Sequence, residues 1–164
     1  MKKKIFAFCG QSNSGKTTLI SKLSIYFQKQ GLKVAIIKHD PKNKATFDTE
    51  GKDSDIFFKT GAKVALSSPT RTTIFLNESN TIKQIASKMG DFDILLIESF
   101  KNIPLPRMLV SYNNEIKEEY LNISMAIAST NDCTSFNMPN FHINDIEKIA
   151  AFILKNATNY DNLK

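Results

Sequence analysis

The stretch Lys4-Ile-Phe-Ala-Phe-Cys9-Gly10-Gln-Ser-Asn-Ser-Gly15-Lys16-Thr17-Thr18 decides the fold. Residues 4–9 are a short apolar run without alternation, the pattern of a strand buried on both faces. Gly10 to Thr17 match G-x-x-x-x-G-K-[ST], and Leu19, Ile20, Leu23, Tyr26 and Phe27 then recur at helical spacing before Gly31 stops the helix. Strand, glycine loop and helix in that order make a phosphate cradle. The glycines let backbone N–H groups turn toward an anion, and the helix N-terminus adds a dipole that favours negative charge. Gly10, Gln11, Ser12, Asn13, Ser14 and Gly15 are therefore expected to wrap the phosphates of a Mg2+-bound nucleoside triphosphate. Lys16 reaches the β and γ phosphates, Thr17 offers a hydroxyl to the metal, and Thr18 touches the α phosphate.

Working outward, Val34 to Ile37 reads as a second buried strand, and the helix before it makes a right-handed crossover between parallel strands. Ile94 to Ile97 is wholly apolar and ends in Glu98, which puts a carboxylate at the carboxyl end of a parallel strand, where open α/β sheets bind ligands. Glu98 is the candidate to hold the Mg2+ shell or orient water, and Lys16, Glu98 and Asp40 are the candidate catalytic set. His39, beside Asp40, reads as a hydrogen-bonded structural residue rather than a base. Asp132, just beyond the apolar strand ending at Ala128, can accept from guanine N1 and N2; an ordinary Asn131-Asp132 turn is the equal alternative.

The remaining pattern predicts a polar loop over 41–52, a short helix over 54–60 and two β segments, 63–67 and 72–76, paired around Pro69. A helix capped by Asn80 carries Ile82, Ile85, Ala86 and Met89. Residues 108–110 and 123–128 read as strands joined by the polar stretch 113–119 into a hairpin or arm. Asn144 and Glu147 read as a capping box for the last helix, after which the chain frays. The whole is an α/β chain with the P-loop NTPase fold: a mostly parallel central sheet flanked by helices, with a β-hairpin or arm, as one domain over 1–164.

Composition agrees with this class and narrows little else. The 164 residues are 41% hydrophobic and 23% charged, with a net charge of +6 that favours anionic ligands. The lysines are scattered, so no nucleic-acid stripe is expected. Cys9 and Cys133 lack zinc spacing and read as reduced thiols. No run approaches the ~18 apolar residues a membrane span needs, and Phe8 is too bulky for a secretion-signal cleavage site, so the expected location is the cytoplasm.

Four segments carry a resemblance: Gly10 to Thr18, Ile37-Lys-His-Asp40, Asp48-Thr-Glu-Gly-Lys-Asp-Ser54 with Gly61-Ala62, and Leu96-Ile-Glu-Ser-Phe-Lys101 before Pro104. In order and spacing they resemble the molybdopterin-guanine dinucleotide biosynthesis adapter (MobB) family over nearly the whole chain. The resemblance implies GTP as the nucleotide, weak hydrolysis at most, and a homodimer formed through an extended β arm. It also implies a partner, the molybdenum cofactor guanylyltransferase, to which GTP or molybdopterin itself is delivered. Carried over by position, Gly10 to Thr18 become the phosphate site, Glu98 the magnesium-side carboxylate, and Asp48, Lys52 and Asp53 a loop of unassigned task. Two positions depart from the family: Ser99 stands where glycine is common, and Tyr112 where a basic residue often ends the strand. The alternative from another class is a small-molecule kinase using ATP, which wants arginines in a lid; this chain has Arg71 and Arg107, neither in an obvious one.

Overall fold

The computed structural model describes residues 2–45, 48–112, 116–131 and 135–163. In chain order its elements are β1 (Lys4–Cys9), α1 (Lys16–Lys29), β2 (Val34–Lys38), α2 (Asp53–Lys59), β3 (Val64–Ser67), β4 (Thr72–Phe75), α3 (Ile82–Lys88) and β5 (Ile94–Glu98). There follow β6 (Arg107–Ser111), α4 (Glu118–Leu121), β7 (Ala126–Ser129), β8 (Asn140–His142), α5 (Ile146–Asn156), β9 (Thr158–Asn159) and a 3-10 turn over Tyr160–Asn162. They fall into two compact units, residues 1–39 with 82–164, and residues 40–81.

The larger unit is built on a sheet of order β2-β5-β1-β6-β7-β8, all of whose neighbouring strands run parallel. Alternation along β1 divides the core between its two faces. Phe6 and Phe8 pack with Leu19, Leu23 and Phe27 of α1 and Ile149 and Ile153 of α5, while Ile5 and Ala7 face Ile82 and Ala86 of α3. Covered on both sides, β1, β5 and β6 are almost wholly buried, which is why their sequences are apolar throughout. The parallel register sets Phe8 beside Glu98, and Glu98 beside Lys38, along one carboxyl edge. The mostly parallel sheet flanked by helices is the architecture expected from the strand, loop and helix at residues 4–29.

Four local expectations are corrected. Val34 to Ile37 is an edge strand, not a fully covered one: β2 pairs only with β5 in the sheet order, and Ile36 is exposed while Ala35 and Ile37 are buried. The strands read over 108–110 and 123–128 do not pair as a hairpin, because β6 and β7 are parallel neighbours, Met108 beside Ala126, with α4 in the crossover; residues 113–115 of the joining stretch lie outside the described residues. Asn144 does not cap α5; the cap position is Asp145, and the Asn144 side chain accepts a hydrogen bond from Lys22 instead, at 2.9 Å. Residues 158–163 are tied down rather than frayed. Thr158 and Asn159 pair antiparallel with Ile5 and Lys4, filling the side of β1 that β6 leaves open, and Leu163 is buried.

The smaller unit contains α2 and the antiparallel pair β3–β4, in the register Val64 beside Phe75 and Ser67 beside Thr72. Phe58 of α2 meets Phe75 with ring centroids 5.8 Å apart. Among the described residues no helix is long and apolar enough to cross a membrane.

Candidate functional site

β1 delivers the chain to the loop at Gly10, whose φ of 141° and crowding leave no room for a side chain. A β-carbon there would stand 2.3 Å from the Val110 carbonyl oxygen and 2.8 Å from the Ser14 hydroxyl. Asn13 (φ 60°) and Gly15 (φ 89°) complete the reversal into α1 in left-handed conformations. Left-handed residues at such a turn allow backbone N–H groups to face an anion. Beside it a cavity of about 90 Å³ is lined by Gln11, Asn13, Ser14, Ser111, Tyr112 and Tyr120.

Lys16 opens α1 and is 7% exposed. Its ammonium donates to the Gly10 carbonyl at 3.1 Å, to the Ser14 hydroxyl at 3.3 Å and to the Gln11 carbonyl. Burial pushes the Lys16 pKa down from its ordinary value, and the negative charge of Glu98 opposes that shift. A cation held in a desolvated loop, bonded to neutral oxygens of the described residues, is poised to exchange them for phosphate oxygens.

Thr17 and Glu98 come from different elements, α1 and β5, and meet at the sheet's carboxyl edge. The Thr17 Oγ1 hydroxyl donates to Glu98 Oε2 at 3.5 Å, and Glu98 is 8% exposed. Among the described residues no three His, Cys, Asp or Glu side chains cluster as a metal cage. One hydroxyl and one carboxylate, both hard oxygen donors, suit Mg2+, which takes few protein ligands and completes its shell with phosphates and water.

The backbone after Glu98 is closely held. His39 N–H donates to the Glu98 carbonyl at 3.1 Å, and Ser99 N–H to the Phe8 carbonyl at 2.9 Å. Ser99 (φ 77°) and Phe100 (φ 53°) are both left-handed, a conformation that glycine adopts more readily than either. The His39 ring stacks on Phe100 with centroids 4.3 Å apart. Arg107, at the start of β6, is 1% exposed and donates to the carbonyls of Ser99 (3.1 Å), Phe100 (3.0 Å) and Ile103 (2.7 Å). Sequence reading missed this role, since an arginine after Pro104-Leu-Pro106 carries no signal that it turns inward.

The other expected positions are placed as follows. Thr18 is exposed on the first turn of α1. Asp40 belongs to the smaller unit, where its carboxylate accepts from the N–H groups of Lys42 (3.3 Å) and Ala45 (2.6 Å). Asp48 accepts from Thr49 N–H at 2.8 Å and from the Ser54 hydroxyl, while Lys52 and Asp53 begin α2. Asp132 and Cys133 lie outside the described residues. Cys9 is buried against Ser124, its Sγ 3.1 Å from the hydroxyl, and burial pushes its thiol pKa up, so it packs as a neutral, small hydrophobe.

Comparison with known proteins agrees with this architecture. Residues 5–130 match the family model of MobB, molybdopterin guanine dinucleotide synthesis protein B. A molybdopterin-guanine dinucleotide biosynthesis adapter protein of Haemophilus influenzae is 31% identical over 159 residues, covering 91% of this chain and 86% of that protein. The protein so named from Escherichia coli is 26% identical over 161 residues, covering 92% and 91%. The crystal structure of a molybdopterin-guanine biosynthesis protein B superposes with a TM-score of 0.75 at 25% identity, covering 92% of this chain and 98% of the other. The motif order, the architecture around Gly10 to Thr18 and these matches together show that the chain belongs to the molybdopterin guanine dinucleotide synthesis protein B (MobB) family.

Proposed function

We propose that this chain is an accessory protein of molybdopterin guanine dinucleotide synthesis that binds Mg2+-GTP at residues 10–18 and assists the guanylyltransferase. The observation that carries the reading is the convergence of buried Lys16 and Glu98 with the exposed Thr17 at the mouth of a glycine-wrapped loop. Loop N–H groups and Lys16 bind the phosphates, and Thr17 and Glu98 would hold the Mg2+ ion. Bound there, the metal would neutralise charge on the phosphate oxygens. Guanine rather than adenine is favoured by the relatives, whose names specify a guanine dinucleotide. Asp132 is the candidate acceptor for the base.

Hydrolysis is slow on this reading. Arg107 is committed to backbone carbonyls inside the fold and cannot serve as a mobile charge on a transferring phosphoryl group. Family membership sets the kinase alternative aside. A homodimer fits the smaller unit, where Ile56 and Phe57 of α2, Leu66 of β3 and Ile74 of β4 are exposed apolar side chains that a second copy would cover. Delivery of GTP, or of molybdopterin, to the transferase takes place in the cytoplasm. In a reconstituted guanylyltransferase reaction at limiting GTP, added protein is expected to raise the rate of dinucleotide formation. An unchanged rate across all GTP concentrations contradicts the accessory role.

A further inference from the structure

A buried guanidinium is expensive unless its donors are satisfied. Three N–H donors of Arg107 go to carbonyls of one turn, residues 99–103, and no buried side-chain nitrogen or oxygen among the described residues lacks a partner. This turn directly follows Glu98. It holds two consecutive non-glycine residues, Ser99 and Phe100, in left-handed backbone, a conformation that persists only where the surroundings over-determine it. The direction in which Glu98 leaves β5 is therefore set by the turn, and the turn is gripped from below by Arg107. The three bonds go to the turn and none of them to the loop 10–18.

We infer that Arg107 is a positioning residue for the metal side of the site: by clamping the carbonyls of Ser99, Phe100 and Ile103 it aims the Glu98 carboxylate at Thr17. The inference rests on the Mg2+-GTP reading above. It separates two quantities that a purely architectural role would move together. Phosphate binding by the loop stays, whereas the contribution of Mg2+ to affinity depends on the clamp.

The test is titration of the full chain with a fluorescent GTP analogue, in Mg2+ and in EDTA, for the wild type, Arg107→Lys and Arg107→Met. Affinity in EDTA is expected to stay within about twofold of wild type in both variants. The gain on adding Mg2+ should shrink by about tenfold or more, as when a group orienting a metal ligand is removed. Lysine should recover little, because a single ammonium cannot replace a planar fork spread over three carbonyls. A Mg2+ gain equal to wild type, or equal losses with and without Mg2+, overturns the inference alone. Absence of any Mg2+ gain in the wild type overturns the reading of the site and the inference with it. Should both variants fail to fold, nitrogen-15 spectra of the wild type decide. The Arg107 Nη–H groups are expected to be protected from solvent exchange and to shift when Mg2+ joins the GTP complex; rapid exchange or an unmoved signal overturns the inference.

Discussion

Gly10 and Val110 meet where β1 gives way to the phosphate loop, so closely that a β-carbon on Gly10 would lie 2.3 Å from the Val110 carbonyl oxygen. The contact ties the loop to β6, and it makes the first glycine of the motif a packing requirement as well as a conformational one. Gly10→Ala should therefore destabilise the fold by about 2 kcal/mol or more and abolish nucleotide binding. Gly31→Ala is the control: its φ is 79° but nothing lies within 4 Å of the added carbon. Its cost should be about 1 kcal/mol, with binding intact. Urea denaturation of the two variants, with nucleotide titration, checks both.

Ser99 occupies a left-handed position, φ 77°, directly after Glu98. Relief of β-carbon strain by Ser99→Gly outweighs the added freedom of the unfolded chain, and a net gain of about 0.5 to 1 kcal/mol is expected. A thermal melt reads it. A lowered midpoint would mean that the serine side chain contributes more than its strain costs.

Lys16 is a buried cation, and the protein without nucleotide bears the cost of that burial. Its folded-state pKa lies below the ordinary 10.5, so the penalty for burying the charged form is fully present below the folded value and fades as the pH climbs toward 10.5. Lys16→Met should raise nucleotide-free stability at neutral pH by about 1 kcal/mol. That advantage over wild type should shrink in alkaline solution. Paired melts across pH measure it, and an advantage that grows with pH contradicts the account.

Glu98→Gln keeps the shape of the side chain and removes its charge. Nucleotide affinity in EDTA should be nearly unchanged, while the gain on adding Mg2+ falls by about tenfold to a hundredfold, the worth of one charged contact. Calorimetry with and without the metal reads the difference. Equal affinities for variant and wild type in Mg2+ would remove Glu98 from the metal side.

The phosphate loop was legible because glycine spacing, a buried strand and a helical apolar stripe all fall on residues 4–29 and point to one structure. The position of Glu98 at the carboxyl end of a buried strand was legible from the wholly apolar run that it closes. What the sequence hid has physical reasons. The four-residue α4 is too short to show a period, so the polar stretch before it read as a hairpin loop and the parallel pairing of β6 with β7 was missed. Thr158 and Asn159 pair with β1 through their backbone, which their side chains do not advertise. Arg107 is charged, follows a proline-rich loop and is still 1% exposed, since its partners are carbonyls that any sequence could supply. Asp132 lies outside the described residues, so the base-recognition reading still rests on sequence.

The central claim is that residues 10–18 bind a guanine nucleotide, and calorimetric titration with GTP and ATP in Mg2+, repeated on Lys16→Ala, tests it most directly. A clear preference for GTP is expected, with GTP affinity falling by about tenfold to a hundredfold in the variant, the worth of one charged contact to phosphate. Equal or better binding of ATP, or GTP affinity untouched by loss of Lys16, would contradict it.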